Sequence, residues 1–225
     1  MQYVIFSDIH GNLYALRELL AVENKDATKQ FIFCGDLCGY YYHAEESMEL
    51  LKTIDGLIAV RGNHDQYYLN AYEDEEQTEK LVEKYGSSYR EKILNLRYYI
   101  ENMPLEIKLN INGRKVYIQH GSPGNLLEGR VYPDSVIPEL EDNAIYISGH
   151  THYQMIKQYK NTIWINPGSL GQPRDGKGFS YCILNDKNWD VFFRNISIDI
   201  DPLVHQVRTR DPLNKYLEEV LHRNL

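Results

Sequence analysis

The chain has 225 residues, of which 43% are hydrophobic and 25% are charged, with a formal net charge of −8. This composition allows a substantial core, and it disfavours long DNA or RNA as a substrate, because proteins that hold such backbones present stripes of Lys and Arg. The lack of a long apolar run and of an export signal, together with an odd number of cysteines, predicts a cytoplasmic protein with no membrane partner.

Short apolar segments alternate with helical patterns in the first part of the chain. Apolar runs typical of buried parallel strands occupy residues 3–6, 31–33 and 57–60. Between them, leucines at helical spacing predict a helix after Asn12, a good N-cap residue, and a second helix is predicted over 44–51. This alternation of strands and helices predicts an α/β fold with parallel pairing.

Residues 66–101 interrupt this rhythm with a long and partly acidic helical pattern. We expect two helices here, the first interrupted at Gly86 and the second carrying Ile93, Leu96 and Ile100. We interpret the segment as a helical insertion at the edge of the domain, and we expect it to select the substrate.

The second half of the chain is richer in strand patterns. Asn112-Gly113 is a strong hairpin signal between strands over 105–111 and 115–118. Further strands are predicted over 144–147, 154–159, 162–165, 179–184 and 189–196. C-terminal helices are expected over about 201–223, with a final helix that starts at Asp211-Pro212. Residues 1–225 are therefore predicted to form a single domain with two sheets.

Polar residues suited to metal binding directly follow several of the predicted strands. They lie in the clusters Asp8-Ile9-His10, Gly35-Asp36, Gly62-Asn63-His64-Asp65, Gln119-His120-Gly121 and Gly149-His150-Thr151-His152. Ligands of open α/β sheets bind outside the carboxyl ends of the strands, so these loops are expected to converge. Carboxylate, imidazole and carboxamide groups without a required thiolate fit manganese, iron, zinc, nickel or cobalt ions.

Five ordered motifs contain these residues. They are Asp8-Ile9-His10, Gly35-Asp36-Leu37-Cys38-Gly39, Gly62-Asn63-His64-Asp65, His120 and Gly149-His150-Thr151-His152. This pattern resembles the calcineurin-like metallophosphoesterase superfamily, whose motifs are DxH, GDxxG, GNH(D/E), H and GHxH. Residues 60–63 and Asn166-Pro167-Gly168-Ser169 are also similar to its small single-domain prokaryotic phosphodiesterase branch. The resemblance implies a four-layer α-β-β-α sandwich of two packed mixed sheets with outer helices.

The same resemblance implies two divalent-metal sites that share Asp36 as a bridging ligand. One site is completed by Asp8, His10 and His152, and the other by Asn63, His120 and His150. Two ions roughly 3.5–4 Å apart would activate a bridging water for attack on phosphorus. Manganese is the first expectation, with iron, zinc, nickel or cobalt as alternatives. His64 is outside the ligand set, and we assign it as general acid or as a donor to the transition state.

The resemblance predicts a metal-dependent phosphoric ester hydrolase that acts on a small phosphate ester, with phosphodiesters favoured. The alternatives are a phosphomonoesterase, a dinucleoside polyphosphate hydrolase and, in another class, a non-catalytic binding module on the same fold. Substrate contacts are expected from Arg174, Tyr40 and Tyr67. The competing interpretations are a turn in which Arg174 pairs with Asp175, and tyrosines that pack against the helical insertion.

Overall fold

The structure is a computed structural model that describes residues 1–23, 29–137 and 140–223. The ten strands within them are β1 (Gln2–Phe6), β2 (Lys29–Phe33), β3 (Ile58–Ala59), β4 (Glu106–Ile111), β5 (Arg114–Gln119), β6 (Ala144–Ile147), β7 (Gln154–Tyr159), β8 (Thr162–Pro167), β9 (Phe179–Asn185) and β10 (Val191–Ile196). The seven α-helices of the same residues are α1 (Leu13–Glu23), α2 (Ala44–Leu51), α3 (Asn63–Glu73), α4 (Glu75–Tyr85), α5 (Leu94–Glu101), α6 (Asp201–Arg210) and α7 (Lys215–His222). None of these helices is both long enough and apolar enough to span a bilayer.

The first sheet is built around β1, whose residues alternate between two apolar layers. Its strands lie in the order β10-β9-β1-β2-β3, with β1 parallel to β2 and antiparallel to β9. Val4 and Phe6 belong to the layer under the helices, whereas Ile5 belongs to the layer between the sheets. Because successive strand residues point to opposite faces, a continuous apolar run buries both faces at once.

The second sheet packs against the first through aliphatic side chains. Its strands lie in the order β4-β5-β6-β8-β7, with β5, β6 and β8 parallel and the outer pairs antiparallel. Ile118 and Ile147 from this sheet share one buried cluster with Ile5 and Ile32 of the first sheet. The predicted α/β class with two packed mixed sheets is therefore confirmed.

Different elements cover the outer faces of the two sheets. On the first sheet, Leu16 of α1, Met48 of α2 and Leu96 of α5 join one buried cluster with residues of β1 and β2. On the second sheet, Trp164 packs with Val131 from the connection between β5 and β6. The inner strands β1, β9, β6 and β8 are thus buried on both faces, which fixes their ends in place.

The helical segment after β3 differs from the two helices predicted over 66–101. Its first helix, α3, already begins at Asn63, and a separate helix, α4, begins directly after Asp74. The Asp74 carboxylate accepts a hydrogen bond from Gln77 N at 3.1 Å, so it caps α4 and separates that helix from α3. The predicted break at Gly86 is confirmed, since α4 ends just before it and its φ is 99°.

The prediction that the final helix starts at Asp211-Pro212 is wrong. α7 begins at Lys215, and a turn precedes it. The Asp211 carboxylate instead accepts hydrogen bonds from Tyr42 OH at 2.7 Å and from Ser87 N at 2.9 Å. These contacts to distant parts of the chain occupy the side chain, so it is not available as a cap. Proline in a first helical turn is found in α6, at Pro202.

Replacing Ile147 by Ala should lower the free energy of unfolding by about 2–5 kcal/mol, because the change leaves a cavity in a closely packed layer. The matched control is Ile156→Ala in the same sheet, where the side chain is 45% exposed, and it should cost less than about 1 kcal/mol. Urea denaturation followed by circular dichroism measures both losses. Equal losses would contradict the placement of Ile147 between the sheets.

Candidate metal centre

Seven residues that follow strands of the two sheets converge on one buried site. They are Asp8, His10, Asp36, Asn63, His120, His150 and His152. Five of them, all except Asn63 and His120, have φ values between 50° and 67°. Non-glycine residues rarely adopt this left-handed conformation, and it persists only where the surrounding structure holds it. The surrounding structure therefore holds these loops in a strained backbone conformation that directs the side chains into the site.

Two glycines allow the loops to approach each other closely. A Cβ atom on Gly62 would lie 2.1 Å from Asp36 Oδ1, and one on Gly149 would lie 2.8 Å from Asp8 Oδ2. Any side chain at these positions would displace a carboxylate. The glycines beside the candidate ligands are thus a steric requirement of the site.

Asp8 uses its two carboxylate oxygens differently. Oδ2 accepts a hydrogen bond from His150 N at 3.2 Å. Oδ1 is buried, accepts no hydrogen bond of regular geometry from the described residues, and lies 3.2 Å from His152 Nε2 and 3.9 Å from His10 Nε2. The Nδ1 atoms of His10 and His152 each donate to a backbone carbonyl, so both Nε2 atoms present lone pairs, and these atoms are only 3.2 Å apart.

Asp36 shows the same division between its oxygens. Oδ1 accepts a hydrogen bond from His64 N at 2.8 Å. Oδ2 is buried without a regular hydrogen bond from the described residues and lies 3.2 Å from His120 Nε2. The carboxamide oxygen of Asn63 is 2.9 Å from His120 Nε2 and 2.9 Å from His150 Nδ1. Potential ligand atoms of four residues therefore crowd together on this side of the site as well.

These contacts form two groups of donors that share Asp36. Ligand atoms lie within 4.8 Å of one another in the group Asp8, His10, Asp36 and His152, and likewise in the group Asp36, His120 and His150. Asn63 joins the second group through its contacts with both histidines. Carboxylate, imidazole and carboxamide donors fit divalent transition-metal ions, and a cation in the first group would relieve the repulsion between the facing lone pairs of His10 and His152. The grouping is the one implied by the resemblance, and metal binding by these residues stays a prediction.

The electrostatics of the site favour cation binding. Burial lowers the pKa of His10 and that of His152, which favours the neutral imidazole that binds metals. Burial also lowers the pKa of His120, but the carboxylates of Asp36 and Asp8 outweigh it and raise that pKa to about 10. Burial raises the pKa of Asp36 to about 7. His120 and Asp36 thus hold a proton between them, and a cation bound there would replace it.

Asp65 fixes the loop that carries Asp36. Its carboxylate accepts hydrogen bonds from four backbone N–H groups, those of Asp36 (3.0 Å), Leu37 (2.8 Å), Cys38 (3.0 Å) and Gly62 (2.9 Å). Hydrogen bonds to a charged acceptor are stronger than those between neutral groups. One buried side chain therefore joins the loop after β2 to the loop after β3.

His64 lies beside the candidate metal groups and is oriented by a residue that the sequence did not indicate. Its ring centroid is 4.9 Å from that of His10, and its Nδ1 is 2.6 Å from the Tyr89 hydroxyl. Burial raises the pKa of Tyr89 well above its usual value and lowers that of His64, so a protonated hydroxyl faces a neutral imidazole, and we take the hydroxyl as the donor to Nδ1. We therefore assign the ring proton of His64 to Nε2.

A cavity of about 290 Å³ opens at the candidate metal groups. All three predicted substrate contacts line it, namely Arg174, Tyr40 and Tyr67. Five of the predicted metal-centre residues also line it, and six lining residues were not predicted from the sequence, namely Lys84, Tyr85, Glu128, Arg130, Tyr132 and Tyr216. No motif marks these residues, because only the folded chain brings their segments to the strand ends.

Arg174 reaches this cavity instead of pairing with its neighbour Asp175. Its Nη2 donates to Tyr40 OH at 3.3 Å and to the side chain of Gln172 at 2.8 Å. The Asp175 carboxylate accepts a hydrogen bond from Gln154 N at 2.9 Å. The tyrosines that follow Tyr40 pack away from the cavity, in the cluster formed with α6 and α7.

The chain is similar to known proteins over most of its length. The profile of the "Calcineurin-like phosphoesterase superfamily domain" matches residues 1–188. The uncharacterized protein MJ0912 of Methanocaldococcus jannaschii is 30% identical over 242 residues, which cover 96% of each chain. Phosphodiesterase YfcE of Escherichia coli is 22% identical over 204 residues, 87% of this chain and 93% of YfcE. The crystal structure of a metallophosphoesterase from Sphaerobacter thermophilus has the same fold, with a TM-score of 0.80 at 24% identity over 100% of both chains.

Replacing Asp65 by Asn should weaken divalent-metal binding and lower the free energy of unfolding by about 1–3 kcal/mol, because an amide offers a single acceptor oxygen to four N–H groups. Asp74→Asn is the matched control, since Asn also caps helices well and α4 lies outside the centre. Calorimetric titration with Mn²⁺ and urea denaturation provide the two measurements. Unchanged metal affinity in Asp65→Asn would refute the role of Asp65 in holding the centre.

Proposed function

The chain belongs to the calcineurin-like phosphoesterase superfamily, and from this premise we propose that it is a metal-dependent phosphoric ester hydrolase. We favour a small phosphodiester as the substrate, ahead of phosphomonoesters and dinucleoside polyphosphates. The family match and the phosphodiesterase among the relatives support this reaction class. The observation that carries the proposal is the pair of buried carboxylate oxygens, on Asp8 and Asp36, that receive no regular hydrogen bond from the described residues and face imidazole nitrogens beside an open cavity.

Two divalent ions are the proposed cofactors. One would be held by Asp8, His10, Asp36 and His152, and the other by Asp36, Asn63, His120 and His150. We favour manganese, with iron, zinc, nickel or cobalt as alternatives, because the donors are nitrogen and oxygen without a thiolate. When bound, the ions supply Lewis-acid activation of water and of the phosphoryl oxygens. Neutral Asn63, in place of a third carboxylate, keeps the centre positive for an anionic ester.

His64 is the proposed proton donor in this reaction. Hydrolysis forms a bond from a water oxygen to phosphorus and breaks the bond to the leaving oxygen, which then takes a proton. The Tyr89 hydroxyl occupies Nδ1, so Nε2 is the nitrogen left to serve the leaving oxygen; a protonated His64 gives up its Nε2 proton there and returns to the neutral form that burial favours. Arg174, whose guanidinium can bind two phosphate oxygens at once, is the proposed contact to the substrate. Tyr40 and Tyr67 are proposed to contact its organic part.

A non-catalytic binding module on the same fold is the rival from another class. Loss of catalysis would be expected to remove a ligand or His64, whereas all eight residues are present here and buried around one site. We also propose a cytoplasmic location, which the three free and buried cysteines support.

Removal of metal should abolish hydrolysis of bis-p-nitrophenyl phosphate and of p-nitrophenyl phosphate, and addition of Mn²⁺, Ni²⁺, Zn²⁺ or Mg²⁺ in turn should restore it to different degrees. Asp36→Asn should remove the activity and reduce the bound metal, because this carboxylate belongs to both donor groups. Asp55→Asn, at an exposed turn residue, is the matched control. Silence with every metal and both esters, in protein that still binds two ions, would favour the binding module.

His64→Ala should lower kcat by roughly 10²- to 10⁴-fold and leave the metal content unchanged. The contact from His64 to Asp36 runs through the backbone N–H, so the substitution keeps it. His205→Ala, on the exposed side of α6, is the control for loss of an imidazole. Metal analysis and steady-state kinetics test the prediction, and full activity in His64→Ala would refute the role of proton donor.

A further inference from the structure

Three basic side chains line the cavity at the candidate metal centre, and each comes from a different segment. Lys84 lies near the end of α4, Arg130 between β5 and β6, and Arg174 between β8 and β9. Their convergence is therefore a product of the tertiary structure and not of a local run of basic residues. It also opposes the overall charge of the chain, which is −8.

The contacts of these three side chains leave their charges available. Arg130 Nε donates to His150 Nε2 at 3.2 Å, and Arg174 donates to neutral oxygens. Lys84 Nζ lies 4.8 Å from the centroid of the Tyr85 ring. Within the part of the chain that the structure describes, no carboxylate forms an ion pair with any of the three.

Basic residues close to Lys84 in the chain behave differently. Lys80 Nζ is 2.6 Å from the Glu76 carboxylate, and Arg90 Nη2 is 2.6 Å from that of Glu79. Several carboxylates are thus available on α4. Lys84, the lysine of this helix that reaches the cavity, nevertheless forms no ion pair with a carboxylate of the described residues. The positive charge of Lys84 is therefore available for an interaction other than a surface ion pair.

The carboxylates at the cavity do not neutralise these cations. Asp36 belongs to both candidate metal groups, and Glu128 accepts a hydrogen bond from Tyr67 OH. With two divalent ions in place, the centre alone carries enough positive charge for a single phosphodiester anion. Glu128 keeps its own negative charge, but the three cations outnumber it, so the positive charge at the cavity exceeds what one ester phosphate requires.

We propose that Lys84, Arg130 and Arg174 form a subsite for a second anionic group, so that the substrate is a phosphodiester or phosphoanhydride that carries a further phosphate. The inference rests on the proposed function, which places the first phosphate at the metal centre. Arg130 and Arg174 contact residues of the centre, and Lys84, over the Tyr85 ring, is the outer member. The cavity of about 290 Å³ is small for a ligand site and favours a compact substrate.

Three p-nitrophenyl phosphodiesters test the subsite. Their second ester groups have equal length and differ only at the end, which is a phosphate, a hydroxyl or a trimethylammonium group. For the Mn²⁺-loaded protein, kcat/KM should be at least about tenfold higher with the phosphate arm than with the hydroxyl arm, and lowest with trimethylammonium. Lys84→Met should reduce the preference for the phosphate arm several-fold. Lys80→Met, on the same helix but in an exposed ion pair, should keep it.

Equal kcat/KM for the three arms, or an unchanged preference in Lys84→Met, would overturn the subsite while leaving the proposed function intact. Hydrolysis of none of the esters with any metal would overturn the proposed function instead. In that case a binding measurement tests the subsite. Calorimetry compares the affinity of the same Mn²⁺-loaded protein for propane-1,3-diyl bisphosphate and for propyl phosphate. Tighter binding of the bisphosphate that is lost in Lys84→Met supports the subsite, and equal affinity refutes it.

Discussion

The burial of two carboxylates, Asp8 and Asp36, in one small volume is the constraint on which the rest of the structure depends. Moving such charges out of water is costly unless opposite charges and hydrogen bonds compensate. The protein gives each carboxylate one backbone N–H and surrounds the other oxygen with imidazoles whose Nδ1 atoms are already bound to carbonyls. The protein atoms alone do not balance the negative charge of the two carboxylates, and divalent ions would balance it.

The loops that hold the cluster are strained, and the surrounding fold keeps them in place. Asp65 joins the loops after β2 and β3, and Asn166 Nδ2 donates to Gly149 O at 2.6 Å and to Thr151 Oγ1 at 3.0 Å. Inner strands that are buried on both faces give these loops rigid ends from which to start. The left-handed backbone at five candidate ligands is therefore supported by hydrogen bonds and packing and does not relax.

The centre and its rim come from different parts of the chain. The candidate ligands follow strands of the two sheets, so they belong to the framework that this family shares. The rim comes from α4, the short 3₁₀ helix Ser87–Arg90, α7 and the connection between β5 and β6. Tyr89 orients His64, and Lys84 and Arg130 add charge to the cavity. The framework thus carries the candidate ligands, and selection of the substrate by the rim stays a proposal.

Local chemical features made much of the fold and of the centre predictable from the sequence. Asn12 caps α1, accepting from Ala15 N at 3.1 Å, and the Asn112-Gly113 turn has positive φ at both residues, 48° and 81°. Apolar runs located the strands, and ligand residues at their ends indicated the site. These features depend on a few neighbouring residues, whose propensities act wherever the segment lies.

The sequence by itself determined the α/β class and the strand positions, because alternation and capping are local properties, and its ordered motifs implied the set of candidate ligands through the family resemblance. Only the tertiary structure decided that Tyr89 contacts His64, that Arg130 contacts His150 and that Asp211 binds Tyr42 instead of starting a helix. Each of these pairs joins residues far apart in the chain, and no periodic pattern records which distant segments will pack together.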